Sequence, residues 1–177
     1  FFVGYSPERI NVGDKTHQLQ NTPKIVSATD DKVSGLIKGI YETVLSAEVH
    51  LASSIKVAEA TKMYENVQRD VLIALANQFS DYCREEGIDV QEVTQCASTK
   101  WNFSNVKPGL VGGHCIGVDP YYLLERASMK GIHLPLVEMA RHINERKSGQ
   151  VAHRLLEICK TICGDQKVPN ILLLGFS

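Results

Sequence analysis

A chain of 177 residues with 44% hydrophobic and 22% charged residues can bury a sizeable core, and its formal net charge of -1 offers no electrostatic footprint for nucleic acid or an anionic membrane. No run approaches the roughly 20 apolar residues that span a bilayer, and no basic, apolar and small-residue leader opens the chain. A cytoplasmic protein with neither nucleic-acid nor membrane partners is expected. Five cysteines at irregular spacings argue against a secreted disulfide framework. Cys159 and Cys163, four apart in a helical pattern, are expected to fill a core or a helix seam.

Both ends read as cut from something larger. Phe1-Phe2-Val3-Gly4-Tyr5-Ser6-Pro7 reads as the exit of a buried strand into a loop. Lys24–Ser27 is strand-like, and Thr29-Asp30-Asp31 is a good N-cap for a helix carrying Val33, Leu36, Ile37, Ile40 and Val44. From about Ser54 to Glu85 apolar residues recur at helical spacing, with Val67, Val71, Leu75 and Phe79 on one stripe, widened by Ile73, Ala74 and Ala76, until Gly87 ends the run. A short polar-faced helix follows over Asp89–Ala97, then a Gly/Pro loop from Asn102 to Gly117. Pro135 opens a second long helical pattern through Leu136, Met139, Ile143, Val151, Leu155, Ile158 and Ile162, with Gly164 as its C-cap. Ile171–Leu174 reads as a short strand of the kind that opens a βαβ unit.

Two long helices with wide apolar faces leave more apolar surface than one antiparallel pair can cover. Two arrangements answer this. One is a twofold homodimer through the Ser54–Glu85 helix, and the other is cover by flanking domains.

The stretch richest in chemistry is Pro108-Gly109-Leu110-Val111-Gly112-Gly113-His114-Cys115-Ile116-Gly117-Val118-Asp119-Pro120. Glycine lets backbone approach a ligand and take positive φ, so the loop can wrap a substrate, present Cys115 as a nucleophile and offer amides to a developing oxyanion. A nearby cation such as Lys62 or charged His114 would give the thiol thiolate character. The alternative is a small buried thiol in a Gly-rich turn. A metal held by His114, Cys115 and Asp119 fails on ligand count, and His133, His142 and His153 read as surface or capping residues. On the long helix Lys62 and Asn66, four apart, project one turn apart from one face, and both can stabilise negative charge on oxygen. The alternative there is a solvated surface in which Glu65 pairs with Arg69. Glu8 and Arg9 follow the opening strand, where Glu8 could orient a water or hydroxyl and Arg9 could pair with an acid.

Four motifs occur in register: Gly4-Tyr5-Ser6-Pro7-Glu8-Arg9-Ile10; Ile55-Lys56-Val57-Ala58-Glu59-Ala60-Thr61-Lys62-Met63-Tyr64-Glu65-Asn66; Arg69-Asp70 with Ala74-Leu75-Ala76-Asn77; and the Cys115 loop ending Asp119-Pro120-Tyr121-Tyr122-Leu123. Together they resemble the UDP-glucose and UDP-N-acetylhexosamine 6-dehydrogenase family over nearly the whole chain. The resemblance implies a mostly α central helical dimerisation domain of an α/β dehydrogenase with two Rossmann-like domains, to which the short strands at both ends belong. It divides the chain into the end of the NAD-binding domain (1–46), the central helical and catalytic domain (47–145), and a connecting helix with the first strand of the UDP-binding domain (146–177).

The activity it implies is oxidation of the C6 alcohol of a UDP-sugar to a carboxylate, consuming two NAD. Cys115 would capture the aldehyde as a thiohemiacetal that becomes a thioester. Lys62 would assist removal of the alcohol proton and, with Asn66, stabilise oxyanions, while Asp119 and Glu8 would position and activate water. Glu8, Arg9, Lys62, Asn66, Phe103, Gly109 and Gly112 would contact substrate, with the loop from Phe103 to Gly113 wrapping the sugar and part of the nucleotide. No GxGxxG follows a strand, so the NAD fingerprint lies outside this chain and catalysis by this stretch alone is not expected.

His114 before the cysteine and the run Ile-Gly-Val-Asp-Pro-Tyr-Tyr after it resemble the enzymes that oxidise UDP-N-acetylglucosamine or UDP-N-acetylgalactosamine for capsule and O-antigen polysaccharides. UDP-glucose and UDP-N-acetylmannosamine 6-dehydrogenases remain alternatives, as does a noncatalytic helical dimerisation module. A thiol hydrolase built on Cys115 and His114 is the third reading, weakened because adjacent side chains seldom meet in hydrogen-bond geometry.

Overall fold

A computed structural model describes residues 1–10, 13–164, 169–172 and 174. The chain is mostly helical and divides into two compact units, residues 1–65 and 66–177.

The first unit is a small sheet under one helix. Strand β1 (Gly4–Tyr5) runs antiparallel to β2 (Lys24–Ala28), and β3 (Val49–Leu51) lies parallel to β2 on its other side, pairing Lys24 with Val49 and Val26 with Leu51. Central placement buries β2, where Val26 and Ser27 are fully enclosed. Helix α1 (Asp31–Glu42) packs against all three strands. Its N-cap is Asp30, whose carboxylate accepts from the Lys32 and Val33 amides, two donors that a helix start otherwise leaves unpaired. Gly4 is where α1 comes closest to β1, because a Cβ there would run into the end of the Ile37 side chain. Lys24 is buried in β2, yet its ammonium finds Glu8 Oε2 and the Pro7 carbonyl, each at 3.2 Å, and lies over the Tyr41 ring. A buried ammonium requires such partners.

Helix α2 (Ile55–Glu85) begins in the first unit and continues in the second. Ser54 opens it, its hydroxyl accepting from the Val57 amide. Gly87, at φ +69°, ends the run, a conformation only glycine adopts without strain. The second unit adds α3 (Val90–Ala97), capped by Asp89, then α4 (Asp119–Ser128) and α5 (Pro135–Cys163), which starts on its proline and stops at Gly164. No helix among the described residues is long and apolar enough to cross a membrane.

Several expectations are corrected. Phe1, Phe2 and Val3 are exposed, because β1 is a two-residue edge strand with one neighbour. Strand β3 and helix α4 have no counterpart in the sequence reading. Of the expected strand over Ile171–Leu174, residue 173 lies outside the described residues, and its neighbours Ile171, Leu172 and Leu174 form no strand.

The apolar stripes are only partly buried. On α2, Val67 and Ala74 are buried, but Leu75 and Phe79 are exposed, as are Leu136, Met139, Val151, Leu155, Ile158 and Ile162 on α5. Buried polar residues join α2 to α5, Asp70 and Asn77 on one helix and Arg141 and Asn144 on the other. Cys159 and Cys163 are half-exposed rather than core, since they lie on the last turns of α5.

Candidate functional site

Within the second unit, the loop carrying Cys115 runs from the end of α3 to the start of α4 and is fastened to α2 at two places. At its far end Asn66 Nδ2 donates to Asp119 Oδ2 across 2.6 Å. Asn66 is 1% exposed, so this amide is spent on orienting the carboxylate rather than on solvent. Asp119 is the first residue of α4, and its amide, like that of Val118, donates to the Cys115 carbonyl, at 2.9 and 3.1 Å. The cysteine is thus one tight turn from the carboxylate. Pro120 sits in the first helical turn, where its missing N–H costs nothing.

Cys115 itself is exposed, so the buried-thiol alternative does not hold. Gly113, two residues before it, takes φ +82°, which turns the chain so that His114 and Cys115 face outward. Among the described residues, the amides of Gly113, His114, Cys115 and Ile116 make no protein hydrogen bond. A loop with free amides around an exposed thiol can offer donors to an oxyanion forming at that sulfur.

The near end is held at Gly109. Asn77 Oδ1 accepts from the Gly109 amide and its Nδ2 donates to the Gly109 carbonyl, both at 2.9 Å. Asn77 is one of the buried polar residues that join α2 to α5. Asn77 Nδ2 also donates to Asn144 Oδ1, Asn144 Nδ2 donates to the Asp70 carboxylate and carbonyl, and Arg141 donates to Asp70 Oδ1 at 2.6 Å. Burial pushes the Asp70 carboxyl above its ordinary value, against the pull of Asn144 and Arg141. Among the described residues, Asp70 Oδ2 and Arg141 Nε have no hydrogen-bond partner. The Arg141 guanidinium also lies 5.5 Å from the centre of the Tyr121 ring, and the Tyr121 hydroxyl donates to Glu145, a bond that holds the phenol above its ordinary value.

Lys62 lies one helical turn before Asn66 on α2, half-buried and with no ion pair among the described residues. In the first unit, burial works against ionisation of Glu8, but bonds from the Ile10 amide, Lys24 and the Arg9 amide outweigh it and lower its pKa. Glu65 pairs with Arg9 at 2.7 Å. Arg9 also donates to the Pro23 carbonyl. Phe103 lines an apolar hollow of 280 Å³ with Leu72, Leu75, Phe79, Val93 and Val106. Gly112 is exposed with open space around it. His133, His142 and His153 lie on the surface, His153 beside Glu157.

Asn66, Asp119 and the Cys115 backbone are therefore brought together in one unit. The residues missed as site components are Asn77, Asn144, Asp70 and Arg141. Their signal was polar residues at 66, 70 and 77, spacings that put all three on one helix face.

The strand–helix junctions do not suit a dinucleotide. A pyrophosphate needs bare amides at a glycine-rich helix start. At α1 the Asp30 carboxylate occupies those amides, and at α2 Ser54 does, with no glycine in either turn.

A family model described as the UDP-glucose/GDP-mannose dehydrogenase family, central domain, matches residues 56–146. Protein CapL of Staphylococcus aureus is 50% identical over 157 residues, covering 89% of this chain and 37% of that protein. A UDP-N-acetyl-D-glucosamine 6-dehydrogenase of Pseudomonas aeruginosa is 46% identical over the same shares of each. Among solved structures, a UDP-D-ManNAc dehydrogenase from Pyrococcus horikoshii superposes with a TM-score of 0.82 at 33% identity, over 92% of this chain and 38% of that one. The chain spans little more than a third of the length of these relatives.

Proposed function

Because this chain belongs to the UDP-glucose/GDP-mannose dehydrogenase family, we propose that it is the central part of an NAD-dependent enzyme that oxidises the C6 alcohol of a UDP-N-acetylhexosamine to the uronate. The observation that carries the reading is the exposed Cys115 held one turn from the Asn66–Asp119 pair. The N-acetylglucosamine substrate is supported by the 46% identity to a relative named for it, against 33% for the structure named for the N-acetylmannosamine compound.

Two NAD would each accept one hydride in the net reaction, held by residues other than the strand–helix junctions of this chain. What this chain supplies is nucleophile, charge stabilisation and positioning. The Cys115 thiolate adds to the C6 aldehyde carbon, and the carbonyl π electrons move to oxygen as the C–S bond forms. The loop amides and Lys62 stabilise that oxyanion. At the thioester stage, water attacks the same carbon, its proton passes to the Asp119 carboxylate, and the C–S bond breaks to return the thiolate. Asn66 keeps Asp119 oriented for this. Glu8 assists in positioning the water, and Arg9, Phe103, Gly109 and Gly112 contribute to the substrate site. Covalent capture keeps the reactive aldehyde from escaping between the two oxidations.

The exposed stripe on α2, with Leu75 and Phe79, forms a homodimer interface in this reading. In this reading residues 1–46 are the end of the NAD-binding domain, and residues 146–177 are the connecting helix and the start of the UDP-binding domain. The test is NADH production by the full-length protein across UDP-N-acetylglucosamine, UDP-N-acetylgalactosamine, UDP-N-acetylmannosamine and UDP-glucose. Two NADH per UDP-N-acetylglucosamine, with slower turnover of the others, is expected. A preference for UDP-glucose or UDP-N-acetylmannosamine would overturn the substrate, and no NADH from any of them would overturn the activity.

A further inference from the structure

We infer that Asn77 is a positioning residue for Cys115, clamping the base of the catalytic loop to α2 through paired hydrogen bonds to Gly109, with its own orientation set by Asn144 and Asp70. The inference rests on the reading of Cys115 as the nucleophile. Asn77 and Asn66 are eleven residues apart on α2, an axial separation of about 16 Å at 1.5 Å per residue. The loop between their partners, Gly109 to Asp119, takes ten steps, enough to reach about 33 Å when extended. It therefore has slack, and slack is what lets Cys115 stand out from the helix surface. A slack loop with one end free would not hold a sulfur at a fixed place, and a misplacement of about 1 Å can cost on the order of 100-fold in rate.

The clamp has a defined polarity. An ionised carboxylate only accepts, so Asn144 must turn Nδ2 toward Asp70 and Oδ1 toward Asn77. Asn77 must then turn Nδ2 toward Asn144, which leaves Oδ1 to receive the Gly109 amide while Nδ2 also reaches the Gly109 carbonyl. The carboxamide thus imitates a peptide group and makes one rung of a ladder with the loop. Arg141 anchors the start of the series by holding Asp70 Oδ1. The two carboxamides of this series match their donors and acceptors in one arrangement, and that fixes the amide orientation at its far end.

The substitution that separates this role from simple packing is Asn77→Asp, which keeps the size and the acceptor for the Gly109 amide but loses both donated bonds. Asn77→Ala removes the clamp outright. Hydrogen exchange of the full-length protein is measured on peptides covering 106–118, with α2 and α5 peptides as internal controls, together with kcat and KM. The expected result is loop exchange about tenfold faster, the equivalent of roughly 1.4 kcal/mol, with α2 and α5 unchanged. The kcat falls more than KM rises, and the Ala variant goes further than Asp. Unchanged loop exchange in both variants would overturn the clamp, as would faster exchange spread equally through α2 and α5, and unchanged kcat with a loosened loop would overturn its positioning role. A wild type that turns over no UDP-sugar sinks the functional reading alone, and the exchange pattern then still decides the clamp.

Discussion

Asn66 and Asp119, 53 residues apart in sequence, meet at 2.6 Å and tie the middle of α2 to the first turn of α4. The bond aims a carboxylate that follows the cysteine by four positions, and its donor is almost wholly buried. Replacing Asn66 with Ala leaves Asp119 unaimed. In the full-length enzyme kcat is expected to fall by about 100-fold, the size of effect seen on losing one preorganised donor, with a smaller change in KM. NADH-coupled kinetics check this, and an unchanged kcat would remove Asn66 from the mechanism.

The Arg141–Asp70 pair gives a prediction about stability and its sign with pH. Arg141→Met keeps the volume but strands a buried carboxylate, which costs about 3–5 kcal/mol at neutral pH. The Asp70 pKa is already raised by burial, and loss of the guanidinium raises it further. A carboxyl with a raised folded-state pKa gains stability as pH falls toward the unfolded value of about 3.9. The deficit should therefore narrow between pH 7 and about 4 in urea unfolding, and a deficit that widens with acid would contradict the assignment.

Asp81 has the opposite sign. Burial works against its charge, but Lys147 at 2.8 Å and Arg84 at 3.0 Å outweigh it and lower its pKa. Its contribution is present above the unfolded pKa of about 3.9 and lost as pH falls from there through the folded value. Asp81→Asn should cost about 1 kcal/mol at pH 7, and the difference from wild type should fade below about pH 4.

Leu75 is 62% exposed on α2, so a charge there does not disturb the helix's own packing. Leu75→Glu is expected to convert a dimer to a monomer in sedimentation equilibrium, with the far-ultraviolet circular dichroism unchanged. A mass that stays dimeric would move the interface off this stripe.

Helix starts and stops were legible because they depend on neighbours in the chain. Asp30, Ser54, Asp89 and Pro135 open helices, and Gly87 and Gly164 end them, where capping chemistry places them. Strand β3, three residues long, carries no period to read. Helix α4 begins at the end of the segment read for its glycines and cysteine, where Asp119-Pro120 is a helix-start signal. The buried polar contact between α2 and α5 was the larger miss. Apolar periodicity marks which face is greasy, whereas Asp70, Asn77, Arg141 and Asn144 are buried polar residues joined by hydrogen bonds between two helices, a property no single helix displays. The Cys115 loop could be recognised from its residues, but its two anchor points lie 32 and 53 residues away in sequence.

The most direct test of the central claim is acid quench of the full-length enzyme during turnover of UDP-N-acetylglucosamine with NAD, followed by peptide mass mapping. The expected result is a uronyl thioester on the peptide containing Cys115, released by hydroxylamine and absent from Cys115→Ser, which also fails to make two NADH per substrate. Full turnover by Cys115→Ser, or an acyl adduct on any other cysteine, would contradict it.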